Sequence, residues 1–257
     1  MTDFSISLEM NPKSNDIDEI LQLPEKIAQK KGYNIVICID EFQQIAEFKD
    51  SKIFQKRLRT VWQLQKSVSY CLFGSKKHLM NELFEKKSLP FYKFGDTVYL
   101  PKIGTEDWVD YICGRFEATG KHISAELAGK ICRAVDNHSS YVQQLAWLVW
   151  IHTDETATEQ DFEGAYQDII DQNTPLFEKQ TESLTAYQMN FLRAVLEGVH
   201  REFTTRAVLQ KYKLGSSANV SIVKRALLKK ELIEMEKRQV VIPDPVMEEW
   251  LRRELGL

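Results

Sequence analysis

NIVICIDEFQQI, residues 34–45, joins a short apolar run to two adjacent carboxylates. Residues 35–39 are apolar at every position and rich in β-branched side chains, which predicts a strand buried on both faces in a parallel sheet. Asp40 and Glu41 follow directly, so we expect both carboxylates at the carboxyl edge of the sheet, where ligands bind in open α/β folds. An acidic cap on the following helix would produce the same pattern without a function.

A second apolar run follows along the chain. Residues 68–73, VSYCLF, predict a neighbouring strand, and amphipathic helices are predicted at 52–66 and 77–84. Strand, helix, strand and helix is the rhythm of a doubly wound parallel sheet. The second run ends at Gly74 and Ser75, so the Ser75 hydroxyl is expected at the same edge as the two carboxylates.

The patterns divide the 257 residues into three predicted domains, at 1–101, 102–181 and 182–257. The predicted class is therefore α/β plus all-α: a partial doubly wound parallel sheet, a helical subdomain and a C-terminal winged helix. The winged helix is predicted because the last domain shows three helices followed by a two-stranded hairpin. Further predicted elements of the first domain are a strand at 4–9, a helix starting near Pro24 and an edge strand at 98–100. Helices are predicted in the second at 105–117, 124–136, 140–153 and 158–172, and the predicted N-caps are Thr105, Ser124, Thr158 and Thr185.

The composition bounds the environment. The formal net charge of −3 excludes a chain coated in basic residues, so any nucleic-acid contact must be a local patch. The four cysteines form no CxxC pair and stand among apolar neighbours, which predicts reduced core thiols in a reducing compartment. No apolar run reaches the roughly 20 residues that cross a bilayer. We expect a cytoplasmic protein that does not contact a membrane.

Five segments carry a resemblance to a known family through their order: IDEFQQI, YCLFGSKKHLMNELFEKKSLPFY, YVQQLAWLVW, LTAYQMNFLRAV and PDPVMEEWL. Together they resemble archaeal and bacterial P-loop ATPases related to the AAA+ and STAND NTPases, over nearly the whole chain. The resemblance implies a Walker B strand, a helical lid at 102–181, ATP and Mg²⁺ as cofactors, and a nucleotide-dependent switch. It also implies that Asp40 positions Mg²⁺ through the nucleotide, that Glu41 activates water and that Ser75 is a sensor of the γ-phosphate.

One departure from that family concerns the phosphate-binding loop. The sequence contains no G-x-x-x-x-G-K-S/T motif, and the nearest imitation, Gly114 to His122, has glycines one residue too far apart. That segment also follows a predicted helix, whereas a P-loop opens from strand to helix. We therefore expect a truncated or split family member that is inactive alone and binds ATP weakly or not at all, which leaves its assignment as an enzyme open. The alternatives are a second chain that supplies the missing half-site, or self-association.

The last domain offers a second function. A basic helix and hairpin could neutralise DNA phosphates, although nearby acidic residues favour a protein contact instead. The alternative to an ATPase is therefore a non-enzymatic winged-helix module that binds DNA or a protein partner. The nucleic-acid candidates are Lys224, Arg225, Lys229, Lys230, Lys237 and Arg238.

Two further features stay open at the level of sequence. The lid has Asn137-His138-Ser139 where relatives carry Gly-x-Pro, and either His138 or Tyr141 could stack on a nucleotide or simply pack. Each of three arginines suits an arginine finger or an ordinary surface charge: Arg57, Arg59 and Arg115.

Overall fold

The computed structural model describes residues 14–257, apart from the side chains of residues 14–16 and 77–78. The strand predicted at 4–9 lies outside the described residues. The chain forms two compact units, one ending at Tyr99 and one beginning at Leu100.

The first unit has the predicted α/β rhythm. Its strands pair in parallel, and the register runs from Ile35 opposite Val68 to Ile39 opposite Leu72. Its elements are α1 (Ser14–Lys31), β1 (Ile35–Ile39), a 3₁₀ turn (Phe42–Glu47), α2 (Ser51–Trp62), β2 (Val68–Leu72) and α3 (Lys77–Glu85).

Helix α1 differs from the prediction, because it begins at Ser14 and Pro24 lies inside it. Proline cannot donate the helical hydrogen bond at its own position. The helix nevertheless continues, because its apolar face packs on the core of the unit through Leu21. Packing of one apolar face therefore outweighs the local preference of a single residue.

The two strands are buried on one face only, contrary to the prediction. Ile39, Tyr70 and Leu72 face the core, whereas the alternate side chains are exposed, and Val36 keeps 66% of its surface. Cys38 and Cys71, which are register partners on that face, are exposed, so the prediction of core thiols is wrong for both. An apolar run is buried on both faces only if elements cover both, and no described element covers this one.

An aromatic cluster holds the first unit together. Phe42 meets Phe91 edge-on with ring centroids 5.4 Å apart, and Trp62 stacks on Tyr70 at 4.1 Å. The cluster fixes the 3₁₀ turn immediately after Glu41, because Phe42 is its first residue. The edge strand predicted at 98–100 does not form, and its apolar side chains are exposed, since no described strand pairs with it.

The second unit contains eight helices and a hairpin among the described residues. The strands of the hairpin pair antiparallel, with Glu236 opposite Gln239. The elements are α4 (Thr105–Glu117), α5 (Ala125–Ala134), α6 (Ser139–His152), α7 (Glu159–Thr181), α8 (Ala186–Leu196), α9 (Arg206–Lys211), α10 (Ser217–Lys229), β3 (Glu234–Glu236), β4 (Gln239–Val241) and α11 (Pro245–Leu255).

Helix caps set most of these boundaries. The side chains of Ser124, Thr158 and Thr185 each accept a backbone N–H as predicted, and the last two form capping boxes. The predicted cap at Thr105 is wrong, because Gly104 holds the N-cap position and its carbonyl accepts from Trp108. Thr105 is already the first helical residue.

One continuous hydrophobic core runs through the second unit. It includes Ile112 of α4, Val149 of α6, Phe177 of α7 and Leu251 of α11, all almost completely buried. Helix α7 also extends well beyond its predicted end, through Pro175 to Thr181. The helical subdomain and the C-terminal helices therefore share their packing, and the division into three domains stays a prediction.

Candidate functional site

The carboxyl ends of β1 and β2 are joined by backbone hydrogen bonds that continue past the strands. The Phe73 N–H donates to the Ile39 carbonyl, and the Phe42 N–H donates to the Phe73 carbonyl, both at 3.0 Å. These bonds hold residues 40–43 beside residues 73–75. The two segments that the sequence places at one sheet edge are therefore in contact.

Glu41 and Ser75 meet at this edge, as the strand pattern predicts. The Ser75 hydroxyl is 3.0 Å from Oε1 and 3.3 Å from Oε2 of Glu41. The Gln43 side-chain amide also donates to Oε2 of Glu41. Hydrogen bonds from Ser75 first and Gln43 second hold the pKa of Glu41 below its ordinary value, because they stabilise the ionised carboxylate. These hydrogen bonds therefore hold the Glu41 side chain in place and favour its charged form.

The backbone at Glu41 is strained. Its φ of 50° and ψ of 39° lie in the left-handed region, which disfavours a non-glycine residue. Strain of about 1–2 kcal/mol of this kind persists only where the surroundings impose it, and it is concentrated at functional sites. Here the paired strands and the buried Phe42 impose it from either side.

Gln43 and Gly74 complete the site, and the sequence alone did not single them out as functional. Gln43 is only 2% exposed. A Cβ at Gly74 would stand 1.9 Å from Oε1 of Gln43, so the glycine leaves room for the side chain that orients Glu41. The turn begins Phe-Gln-Gln-Ile, and the sequence alone does not tell the buried Gln43 from the exposed Gln44 beside it.

Asp40 is exposed, and one of its carboxylate oxygens accepts a hydrogen bond from the neighbouring backbone. The Glu41 N–H donates to Oδ1 of Asp40 at 2.7 Å, and no described group is bonded to Oδ2. Magnesium prefers hard oxygen ligands and commonly takes one carboxylate together with nucleotide phosphates. The Asp40 carboxylate fits that requirement, while the Gly-rich loop that would hold the phosphates has no counterpart in the sequence.

The glycine-containing segment from Gly114 to His122 is structural. It runs from the end of α4 into a turn, and the Lys121 ammonium donates to the carbonyls of Trp150 and Thr153. A phosphate-binding lysine must be free to reach its ligand, whereas this one ties α4 to the end of α6.

The aromatic residues at the start of α6 also have structural partners. The Tyr141 hydroxyl donates to Oδ2 of Asp244 at 2.7 Å, and the His138 and Tyr141 rings lie 4.8 Å apart. Burial first, and then the bond to Asp244, raise the pKa of Tyr141. Tyr141 therefore links α6 to the start of α11.

Two of the three arginines considered as fingers are engaged within the first unit. Arg57 forms an ion pair with Asp18 at 2.5 Å. Arg59 donates to the carbonyls of Pro90 and Tyr92. Both side chains serve the local fold, whereas Arg115 lies on α4 in the second unit.

The basic residues of the last helices are distributed over α10 and the hairpin. Most are exposed: Arg225, Lys229, Lys230, Lys237 and Arg238, with Lys224 half-buried. Lys230 donates to the Ser183 hydroxyl at 2.8 Å. Exposed Glu234 and Glu236 lie on β3, so the cationic surface has acidic neighbours.

The two residues at the tip of the hairpin have an unusual backbone. Lys237 and Arg238 are the only residues between the paired Glu236 and Gln239, and their φ values are 45° and 67°. Two-residue hairpin turns with both φ values positive favour Asn-Gly, because other side chains are strained there. Two cations are therefore held at positions where local stability disfavours them.

Comparisons with known proteins agree with this architecture. Residues 175–253 match the family model described as a probable winged helix domain. No curated protein sequence matches the chain. The Walker-type ATPase of Pyrococcus abyssi has a similar structure, with a TM-score of 0.72 and 15% identity over 97% of this chain and 72% of that one. The ORC2 protein of Aeropyrum pernix, solved as ADPNP–ADP complexes, gives a TM-score of 0.56 and 13% identity over 93% of this chain and 71% of that one.

At these identities the similarity shows the fold. The chain has a fold similar to that of the Walker-type ATPase of Pyrococcus abyssi, with a small parallel sheet in a largely helical structure. Its C-terminal part is a winged helix. The predicted fold class is thereby confirmed. Within residues 14–257, no helix is both long enough and apolar enough to cross a membrane.

Proposed function

We propose that this chain carries the metal-positioning and water-activating half of an ATPase site, in a nucleotide-dependent switch of the AAA+/STAND type. The observation that carries the proposal is the contact between Glu41 and Ser75 at the carboxyl edge of β1 and β2. An acidic helix cap does not account for this contact, because the carboxylate of Glu41 caps no backbone N–H of the 3₁₀ turn that follows it.

The residues have distinct roles in this proposal. Glu41, ionised and held by Ser75 and Gln43, accepts a proton from the attacking water. Ser75 is bonded to the same carboxylate, so a γ-phosphate that attracts its hydroxyl would also release Glu41. Asp40 would hold Mg²⁺, which neutralises charge on the nucleotide phosphates when bound.

The switch would act through the second unit. The lid helices and the winged helix share one core, and Tyr141 of α6 is bonded to Asp244 at the start of α11. A nucleotide that moves the lid would therefore carry the winged helix with it and change what that domain contacts.

Without a phosphate-binding loop, the chain alone should bind Mg-ATP weakly. Asp40 reaches the metal only through phosphates that another segment must hold. Isothermal titration calorimetry of the purified chain should give a dissociation constant weaker than about 1 mM, which corresponds to roughly 4 kcal/mol of binding free energy. Micromolar binding would show that the chain holds phosphates by itself.

The catalytic proposal is tested in the assembly that forms in the native cells, isolated through a tag after Leu257. We expect ATP hydrolysis that Glu41→Gln slows by about 100-fold or more, the usual contribution of a general base. Glu47→Gln is the matched control, since Glu47 is an exposed acid at the end of the same 3₁₀ turn. Equal rates for the two variants would remove Glu41 from the reaction. An assembly that does not hydrolyse ATP would exclude the ATPase and leave the non-enzymatic module.

A second candidate function is DNA binding by the winged helix, favoured by the strained cationic turn at Lys237 and Arg238. If the six basic residues contact phosphates, the logarithm of the DNA affinity should fall with the logarithm of the salt concentration, with a slope of about −0.9 for each phosphate neutralised. A DNA affinity that does not change with salt concentration would exclude phosphate contacts by these residues and favour a protein partner. We also propose a cytoplasmic location, because the exposed Cys38 and Cys71 are free thiols that a reducing compartment preserves.

A further inference from the structure

A cavity of about 390 Å³ lies between α4 and α6 within the second unit. Its wall is rich in aromatic side chains, which include Trp108, Tyr111, Trp147 and Trp150. The volume is within the range of about 300–1,000 Å³ typical of ligand sites. The nucleotide site proposed above uses none of these residues.

Two hydrogen-bond donors of the residues that line this cavity have no acceptor in the described part of the chain. Trp108 is only 5% exposed, and its buried Nε1–H has no partner among residues 14–257. A buried donor without an acceptor costs about 1–3 kcal/mol, so a buried indole N–H is normally satisfied. The Arg115 guanidinium also lines the cavity and contacts no acceptor among the described residues. By contrast, the Trp150 Nε1–H donates to the Thr119 hydroxyl at 2.9 Å.

The cavity opens into an exposed apolar surface. Trp147 is 56% exposed, Tyr111 50% and Ile151 48%. Trp147 and Ile151 are four residues apart on α6, so they lie on the same face of the helix. Exposed tryptophan and tyrosine beside an arginine are the side chains that contribute most to protein–protein affinity. The surface extends past the cavity to Ile151, which does not line it, and this extent favours a macromolecule over a small ligand.

The charge at the cavity selects the partner. Arg115 is the only charged residue among those that line it, all of which belong to the described part of the chain. The lining residues of α4 run from Trp108 to Phe116, which corresponds to about 12 Å of helix. That length suits about two turns of a docked helix, whose apolar anchors would enter the cavity.

We propose that this groove binds an acidic amphipathic helix of a partner protein. Apolar side chains of the partner fill the space between Trp108 and Trp150, and its carboxylates accept hydrogen bonds from Arg115. Trp147 and Tyr111 close over the apolar face.

The test uses two fluorescein-labelled helical peptides of about 16 residues with identical Leu and Phe anchors, one carrying Glu on its polar face and the other Lys. By fluorescence anisotropy, the acidic peptide should bind the full chain at least about tenfold more tightly. Trp147→Ala should weaken that binding by at least about tenfold, and Arg115→Glu should reverse the preference between the two peptides. Tyr187→Ala is the matched control, because Tyr187 is a 47% exposed aromatic residue on α8, and its removal should change nothing.

Several results would overturn the proposal. They are equal binding of both peptides, an unchanged affinity in Trp147→Ala, or an acidic preference that survives Arg115→Glu. A saturable affinity for naphthalene-2-carboxylate that matches the peptide would assign the cavity to a small aromatic acid instead. Concentration-dependent dimerisation in light scattering that Trp147→Ala abolishes would assign the groove to a second copy of this chain.

Discussion

Asp244 has two tasks, and its replacement should therefore be unusually costly for a partly exposed residue. Its Oδ1 accepts the backbone N–H groups of Val246 and Met247, both at 2.9 Å, and so caps α11. Its Oδ2 accepts the Tyr141 hydroxyl of α6 at 2.7 Å. Asp244→Ala removes both contacts at once.

The expected loss of stability follows from the two parts. Loss of an aspartate N-cap costs about 1 kcal/mol. The half-buried Tyr141 hydroxyl left without its acceptor adds roughly 1–2 kcal/mol. The total of about 2–3 kcal/mol should lower the melting temperature by roughly 4–12 °C, because 1 kcal/mol corresponds to about 2–4 °C in a domain of this size. Circular dichroism during thermal and urea unfolding measures both quantities.

Matched variants separate the two parts. Asp244→Asn keeps an oxygen for the cap and should cost less than about 1 kcal/mol, since asparagine caps helices nearly as well as aspartate. Tyr141→Phe should cost about 1–2 kcal/mol alone, whereas in the Asp244→Ala background it should cost nothing or recover part of the loss, because it removes the hydroxyl that has lost its acceptor. If the two single losses simply add in the double variant, the bond between α6 and α11 does not contribute to stability, and the reasoning fails.

The other predictions concern the strand edge and the hairpin. Ser75→Ala should raise the pKa of Glu41 toward its ordinary value, and carboxyl ¹³C NMR titration measures this pKa. Because the native pKa is lowered, the stabilisation from ionised Glu41 is present at neutral pH and is lost as the pH falls through that lowered value. An unchanged titration would exclude the hydrogen bond between Ser75 and Glu41. The two exposed cysteines of the β1–β2 face should react with Ellman's reagent before the buried Cys132, and equal rates would contradict the exposed face. Replacing Lys237 by Asn and Arg238 by Gly should stabilise the hairpin by about 1 kcal/mol in urea unfolding while weakening any DNA binding, and a loss of stability would refute the strained turn.

Local patterns predicted the parts of the fold that depend on local physics. The strand at residues 35–39 and the helix at 105–117 have the predicted bounds, because β-branched runs and amphipathic periodicity determine them. The capping boxes at Thr158 and Thr185 were also readable, since their geometry involves residues three apart.

Features that depend on distant packing were not predictable in the same way. The exposure of Cys38 follows from which elements cover the sheet, and that information is not contained in the strand itself. The extension of α7 through Pro175 depends on contacts of its far end with the core. In the site, Ser75 was predicted from its place after a strand, whereas Gln43 and Gly74 became apparent only from their contact in space.

The nucleotide retained by the native assembly tests the central claim most directly. Our account assigns Glu41 to water activation and the binding of phosphates to a segment outside the residues of this site. An assembly carrying Glu41→Gln should therefore bind ATP, fail to hydrolyse it and retain intact ATP after purification, whereas the unsubstituted assembly should retain ADP or no nucleotide. The account would be contradicted if the Glu41→Gln assembly retained ADP and hydrolysed ATP as fast as the unsubstituted assembly.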